Sequence, residues 1–196
     1  TQVVTVVDDV APVITCPAAA SFGTTDGCTY IGAIGVATAT DNCTLTGSII
    51  ITNDAPAAFP LGATTVTWKA EDESGNSSTC TQVVTVVDDV APVITCPANI
   101  TVNNGTGICG AVVSYTTPVG TDNCSGATTA QLAGLASGAT FPIGLTINTF
   151  RVTDASGNST TCSFSVTVND TELPTITCPA KIVVCGSQVV TYTAPV

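Results

Sequence analysis

The stretch TQVVTVVDDVAPVITCPA at residues 1–18 returns letter for letter at residues 81–98. Such self-similarity makes the unit of structure a tandem module and the chain an array of modules. A diverged copy begins near Val166, where VTVNDTELPTITCPA (166–180) answers VTVVDDVAPVITCPA (84–98). The boundaries follow from the repeat. Residues 1–9 are expected to be the last strand of a preceding module, 10–89 a complete module, 90–170 a second, and 171–196 the start of a further one. The sequence therefore reads as a window onto a longer protein. None of its apolar runs reaches the ~18 residues that a membrane helix needs.

Between the repeated ends, short alternating segments are separated by turn clusters. VVTVV, TYIGAI, SIIIT and TTVTWKA occur in the first copy, and AVVSY, FRVT and FSVTV in the second. Val, Ile and Thr are stiff at χ1 and suit a pleated surface, and no long helical periodicity interrupts them. The expected fold is all-β: immunoglobulin-like sandwiches in tandem, with sequential antiparallel pairing in two layers. Trp68, and Phe150 at the matching position, are expected in the sandwich core.

Net charge is −11, and only Lys69, Arg151 and Lys181 are positive. Phosphate binding needs clustered Lys and Arg, which disfavours nucleic acid and anionic membrane surfaces as partners. Cations are the natural small partners. There is no His for acid–base chemistry, and no Ser or Cys nucleophile has a plausible activating partner. The chain is not expected to be an enzyme.

The cysteines form a fixed set per module. The first copy carries Cys16, Cys28, Cys43 and Cys80, the second Cys96, Cys109, Cys124 and Cys162, and the tail Cys178 and Cys185. An even number in a small all-β module reads as two disulfides formed in an oxidising, extracellular compartment, with no free thiol in either complete copy. Without His or a CxxC spacing, zinc is disfavoured. Four cysteines allow three connectivities. Cys16–Cys28 with Cys43–Cys80 has the easier local geometry, whereas joining Cys28 to Cys43 needs the intervening chain to fold back.

The ordered motifs carry a resemblance. They run from Ala11-Pro12-Val13-Ile14-Thr15-Cys16-Pro17 through Gly27-Cys28, Asp41-Asn42-Cys43, Phe59-Pro60-Leu61-Gly62, Val66-Thr67-Trp68, Asp72-Glu73-Ser74-Gly75-Asn76 and Thr79-Cys80 to VVTVVDD at 83–89. The second copy answers with Cys96-Pro97, Cys109, Asp122-Asn123-Cys124, Phe141-Pro142-Ile143-Gly144, Asp154 to Asn158 and Thr161-Cys162. This pattern resembles the hyalin repeat, or HYR, family of extracellular immunoglobulin-like modules over essentially the whole chain. One departure is Asn148, where the pattern and Val66 place an apolar strand residue; the strand register there is in question. The resemblance implies adhesive or structural roles and pairing of the first and fourth cysteines. That gives Cys16–Cys80 and Cys96–Cys162, and leaves Cys28–Cys43 and Cys109–Cys124. The style of repeat also resembles very large surface adhesins of flavobacteria, the mobile adhesin of gliding motility among them.

In an immunoglobulin-like sandwich the loop after the second strand and the loop before the last strand lie at the end where the chain enters. Those loops and the linkers carry Asp8, Asp9, Asp41, Asn42, Asp72 and Asn76 in the first copy. In the second they carry Asp88, Asp89, Asp122, Asn123, Asp154 and Asn158. Converging carboxylates repel one another unless neutralised, and calcium, which takes 6–8 oxygen ligands, suits them. The competing reading is that the aspartates satisfy backbone N–H groups in Asx-type turns. The linker Asp88-Asp89-Val90-Ala91-Pro92 has no Gly or Ser run to act as a hinge, and Pro92 stiffens it, so the modules are expected to form a rod. The expected function is a structural stalk of a cell-surface adhesin, with neighbouring modules as immediate partners and any surface or glycan ligand bound elsewhere. The alternatives are an array that binds a ligand or glycan itself, and a spacer within a secreted enzyme.

Overall fold

The computed structural model describes residues 1–25, 27–178, 180–183, 185–187 and 189–191; part of the tail expected to open a further module, including 192–196, lies outside them. Among the described residues the fold is all-β, with one short 3-10 turn at Thr46–Ser48, and its two tandem copies are sandwiches. By contact the chain divides into two compact units. The first holds Thr1–Cys96, Pro118–Leu132 and Phe150–Cys162, and the second Pro97–Thr117, Ala133–Thr149 and Ser163–Val196.

The first copy is built on a long antiparallel hairpin of β7 (Gly62–Glu71) and β8 (Ser77–Val87), in register from Gly62↔Val86 to Glu71↔Ser77. Strict alternation along it sends Val66, Trp68 and Ala70 of β7, and Gln82, Val84 and Val86 of β8, to the buried face. Side chains two apart share a face of a strand, which is why this pattern fixes the register. β2 (Ala20–Gly23) and β5 (Ile50–Asn53) complete a sheet of order β2-β8-β7-β5. The facing layer is two short pairs, β1 (Val13–Thr15) with β4 (Thr38–Thr40) and β3 (Thr29–Tyr30) with β6 (Phe59–Pro60). Pairing is not uniformly antiparallel as the sequence suggests, because β2 lies parallel to β8. A parallel neighbour requires a long crossover, and here everything between β2 and β8 supplies it.

The core of this copy is Ala37, Phe59, Val66, Trp68, Val84 and Val86, with Ile14, Phe22, Tyr30 and Ile51 packed against it. Cys16–Cys80 bonds across it, closing a separation of 64 residues; a closure of this kind contributes roughly 2–5 kcal/mol. The indole of Trp68 is buried with its N–H satisfied: Nε1 donates to Gln82 Oε1 at 3.1 Å, while Gln82 Nε2 donates to the carbonyls of Ala18 and Ile34.

The second copy repeats the plan with β9 (Ile100–Asn103), β10 (Gly110–Val112), β11 (Thr128–Ala133), β12 (Thr140–Pro142), β13 (Gly144–Thr153) and β14 (Ser159–Asn169). β9 lies parallel to β14, β10 pairs with β12, and Cys96–Cys162 repeats the first disulfide. Phe150 stands where Trp68 did and Phe164 where Gln82 did, and both are buried. The polar partner is thus exchanged together with the ring that needed it, so no donor is orphaned.

Asn148 does not disturb the register. β13 runs through it with the same alternation of burial as β7. The side chain is fully buried and accepts a hydrogen bond from Leu135 N at 2.7 Å. It fastens the turn after β11, where Gly134 sits at φ +89° and a Cβ would lie 1.8 Å from Asn148 Oδ1. Asn148→Ala removes this acceptor from the Leu135 N–H and is expected to cost about 1–3 kcal/mol in urea unfolding. Unchanged stability would show that the turn does not depend on this bond.

Candidate metal centres

Each candidate aspartate stands immediately beyond the end of a strand or bridge, or in the linker into a copy. Asp41 follows β4, Asp72 follows β7, and Asp8 lies in the segment leading into β1. The structure brings these three together, with one carboxylate oxygen of each within 4.8 Å of the others. The second copy repeats the arrangement in part. Asp88 follows β8 and Asp122 follows the bridge Val93↔Thr121, and their oxygens come together at the same spacing, but the third member there is the sulfur of Cys124, which is held in a disulfide, and not a third carboxylate. All of these residues belong to the first compact unit.

The two oxygens of these carboxylates divide the work. One builds the loop. Asp41 Oδ2 accepts from the N–H of Cys43 and Thr44 at 2.8 and 2.9 Å, and Asp122 Oδ2 accepts from Cys124 N at 2.9 Å. Asp8 Oδ1 and Asp88 Oδ1 accept from Val10 N and Val90 N, both at 3.2 Å. These are the Asx turns that the sequence allows. The other oxygen of each, Asp8 Oδ2, Asp41 Oδ1, Asp88 Oδ2 and Asp122 Oδ1, is buried and has no hydrogen-bond partner. A buried carboxylate oxygen left without donor or cation is costly. The donor set therefore fits a hard cation, for which carboxylate oxygens are the preferred ligands. The turn reading and the ion reading describe different oxygens of the same side chains.

Asp72 belongs to the first group but has both oxygens in hydrogen bonds of its own turn, and the candidates outside the groups take other roles. Asp72 and Asp154 organise the β7–β8 and β13–β14 turns. Asp72 Oδ1 accepts from Ser74 N and Asn76 N, and Asp154 Oδ1 from Asn158 N. Gly75 and Gly157, at φ +87° and +97°, allow the chain to turn back there. Asn76 and Asn158 act as braces: Nδ2 of each bonds the turn aspartate and also reaches the linker carbonyl, Asp8 O at 3.1 Å and Asp88 O at 3.0 Å. Asp154 is thereby tied to the linker without joining the Asp88–Asp122 group. Asp9 and Asp89 are exposed and stand outside both groups, and the Asp89 carboxylate lies instead against Gly23. Asn42 donates to Cys43 Sγ at 3.2 Å. Asn123 donates to the carbonyl of Gly27 at 2.8 Å and to Thr24 Oγ1 at 3.3 Å.

The cysteines require a correction. Cys28 bonds Cys124, so the second cysteine of one copy joins the third of the next, with Cα atoms 4.8 Å apart. Cys43 and Cys109 are exposed and carry no disulfide, as do Cys178 and Cys185. The expected bridges Cys28–Cys43 and Cys109–Cys124 are absent, and so is the expected freedom from thiols. The fold-back that Cys28–Cys43 needs is what the chain does not make. The Asp122-Asn123-Cys124 turn reaches the Gly27-Cys28 loop instead, held there by Asn123. The expected bridges lie within each copy, whereas the identical spacing of tandem copies equally allows pairing between them. Desolvation and the carboxylates of Asp8, Asp41 and Asp72 push the remaining Cys43 thiol above its usual range.

Burial opposes ionisation of Asp72 and Asp154, but the donors outweigh it. The Asn76 side chain and the N–H groups of Asn76, Ser74 and Gly75 hold Asp72 below the usual carboxylate range, and Asn158, Gly157 and Ser156 do the same for Asp154. A lowered folded value contributes stability that is present above the unfolded value of about 3.9 and is lost as pH falls through the folded one. The difference in Tm between the parent chain and Asp72→Asn is therefore expected to be largest near neutrality and to shrink below about pH 4. A difference independent of pH would contradict this account of the turn.

The HYR domain family matches residues 7–86 and 87–168. Hyalin of Strongylocentrotus purpuratus is 37% identical over 203 residues, covering 96% of this chain and 16% of that protein. Hyalin of Lytechinus variegatus is 34% identical and covers 94% of this chain and 36% of that protein. The rat Sushi, von Willebrand factor type A, EGF and pentraxin domain-containing protein 1 is 34% identical over 58% of this chain and 3% of its own length. The chain thus spans well under half of these relatives. Among solved structures, human protocadherin-24 EC1-2 aligns over 83% of this chain and 100% of its own at 15% identity and a TM-score of 0.42. Mouse cadherin-23 EC22-24 aligns over 84% of this chain and 66% of its own at 16% identity and a TM-score of 0.37. With both copies matched from end to end, the chain belongs to the HYR domain family.

Proposed function

We propose that these repeats are a non-catalytic, load-bearing part of an extracellular adhesion-type protein, stiffened at each linker by a bound calcium ion. The observation that carries the reading is the pair of repeated carboxylate groups, each with buried oxygens that no protein donor satisfies. Such oxygens serve folding poorly and serve a cation well. The extracellular setting is supported by three disulfides, which persist in oxidising compartments. It is supported also by kinship with hyalin, from which the adhesive role is carried over. The narrower reading as a flavobacterial gliding adhesin draws no support from these relatives and forms no part of the proposal. The stalk role rests on the short linker, on its anchoring by Asn76 and Asn158, and on tandem repetition, in which every added copy adds length.

Extracellular modules bind calcium at about 10⁻⁴–10⁻³ M. Saturation at 100 times the dissociation constant stabilises by about 2.7 kcal/mol, a rise of several degrees in Tm for domains of this size. Thermal unfolding of the chain in EDTA and in 10 mM calcium, roughly that excess for a Kd of 10⁻⁴ M, measures it. Asp41→Asn together with Asp122→Asn is expected to leave the melting temperature in EDTA equal or higher, because repulsion is relieved, and to abolish most of the calcium increment. An equal increment in parent and variant would place the ion elsewhere, and no increment at all would overturn the ion reading.

A further inference from the structure

The Cys28–Cys124 bond leaves the equivalent cysteine of each copy without a disulfide. Cys109 is the second cysteine of the second copy, as Cys28 is of the first, and Cys43 is the third cysteine of the first copy, as Cys124 is of the second. Both are exposed and unbonded. The surroundings match as well. Cys43 sits in a turn built like that of Cys124, with its N–H on the Asp41 carboxylate and the Asn42 amide on its sulfur; Cys124 has Asp122 and Asn123 in the same places. Cys109 lies in a loop closed by Gly105 N to Gly110 O, as Cys28 lies in one closed by Thr25 N to Thr29 O. An open cleft of about 440 Å³ stands beside Cys109, lined also by Ile108, Asp170, Glu172 and Pro174. Asp170 and Pro174 occupy in VTVNDTELP the places that Asp88 and Pro92 hold in VTVVDDVAP. At the linker containing Asp88, the corresponding space receives the Asp122-Asn123-Cys124 turn, whose sulfur lies within 4.8 Å of an Asp88 oxygen.

We propose that the cleft at Cys109 is the receiving half of a covalent repeat-to-repeat joint. Its occupant is the Asp-Asn-Cys turn of a following copy of this repeat, whose cysteine bonds Cys109, while Cys43 bonds the second cysteine of a preceding copy. Every linker in the array is then bridged beside its backbone, giving a ladder of staples that is independent of whether a cation binds. Each bond forms by exchange with an external small-molecule disulfide: two thiols lose two protons and two electrons to become one disulfide, and the external disulfide is reduced to two thiols. Such a joint would hold the next module at its linker even where a noncovalent contact yields under load.

Alkylating the unreduced, unfolded chain and mapping its peptides gives the first test. A Cys28–Cys124 linked peptide is expected, with Cys43 and Cys109 alkylated as monomers; Cys28–Cys43 or Cys109–Cys124 peptides would overturn the proposal. The second test lengthens the chain by a further copy of residues 90–170 placed after Asp170, oxidised with glutathione disulfide. Alkylation of Cys109 is expected to fall to background and a peptide linking it to the third cysteine of the added copy to appear. Cys109→Ser should return that cysteine to full alkylation with the circular dichroism of the array unchanged. Continued alkylation of Cys109 in the lengthened chain would overturn the joint, even where the first map is as expected.

Discussion

The long hairpin of each copy is the constraint on which the rest depends. β7 and β8 bury Val66, Trp68, Ala70, Val84 and Val86 on one face. The same register fixes everything at their ends: Asp72 where β7 stops, Asp88 where β8 stops, and Cys80 at mid-strand facing Cys16. Apolar burial, at roughly 25 cal/mol per Å², drives the pairing, and the polar chemistry is carried on the loops that the pairing positions. A functional group at a strand end is held by the rigid element behind it, which is how three short loops bring Asp8, Asp41 and Asp72 within reach of a common centre.

The repeated segment TQVVTVV shows how far this control extends. Residues 81–87 form part of β8 and alternate strictly, with Val84 fully buried and Val86 nearly so. The same letters at 1–7 form no strand, and Val3, Val4, Val6 and Val7 are all largely exposed. Strand propensity is the same in both places. What differs is the preceding partner strand, which β8 has in β7 and residues 1–7 lack among the described residues. β-propensity measures fit to a half-buried pleated surface and does not act without one.

The same distinction separates what was legible in the sequence from what was not. The alternation in segments such as TTVTWKA and VVTVV marked them as strands, and Trp68 and Phe150 lie in the core as expected. The first-to-fourth disulfides followed from the family pattern. The convergence of Asp8, Asp41 and Asp72 was legible once a sandwich was assumed, because a sandwich places those loops at one end. The parallel placement of β2 on β8 was not, since local alternation carries no information about which distant strand lies alongside. Nor was Cys28–Cys124 legible. Sulfur pairing depends on distance in the fold, and copies of one repeat offer equal spacing within and across themselves. Asn148 puts the register in question for a related reason: a polar residue at a core position has no evident place until its partner, the Leu135 N–H beside Gly134, is known.

A cation is proposed at each place where the strand ends gather carboxylate oxygens. Crystals of the chain grown in millimolar calcium, with anomalous differences recorded above and below a lanthanide edge after exchange, test it directly. The expected result is a peak about 2.3–2.6 Å from the free oxygens of Asp8 and Asp41 for calcium, slightly shifted for the lanthanide, and a second peak beside Asp88 and Asp122. Carboxylates turned out to solvent, with no peak at either position, would contradict the claim.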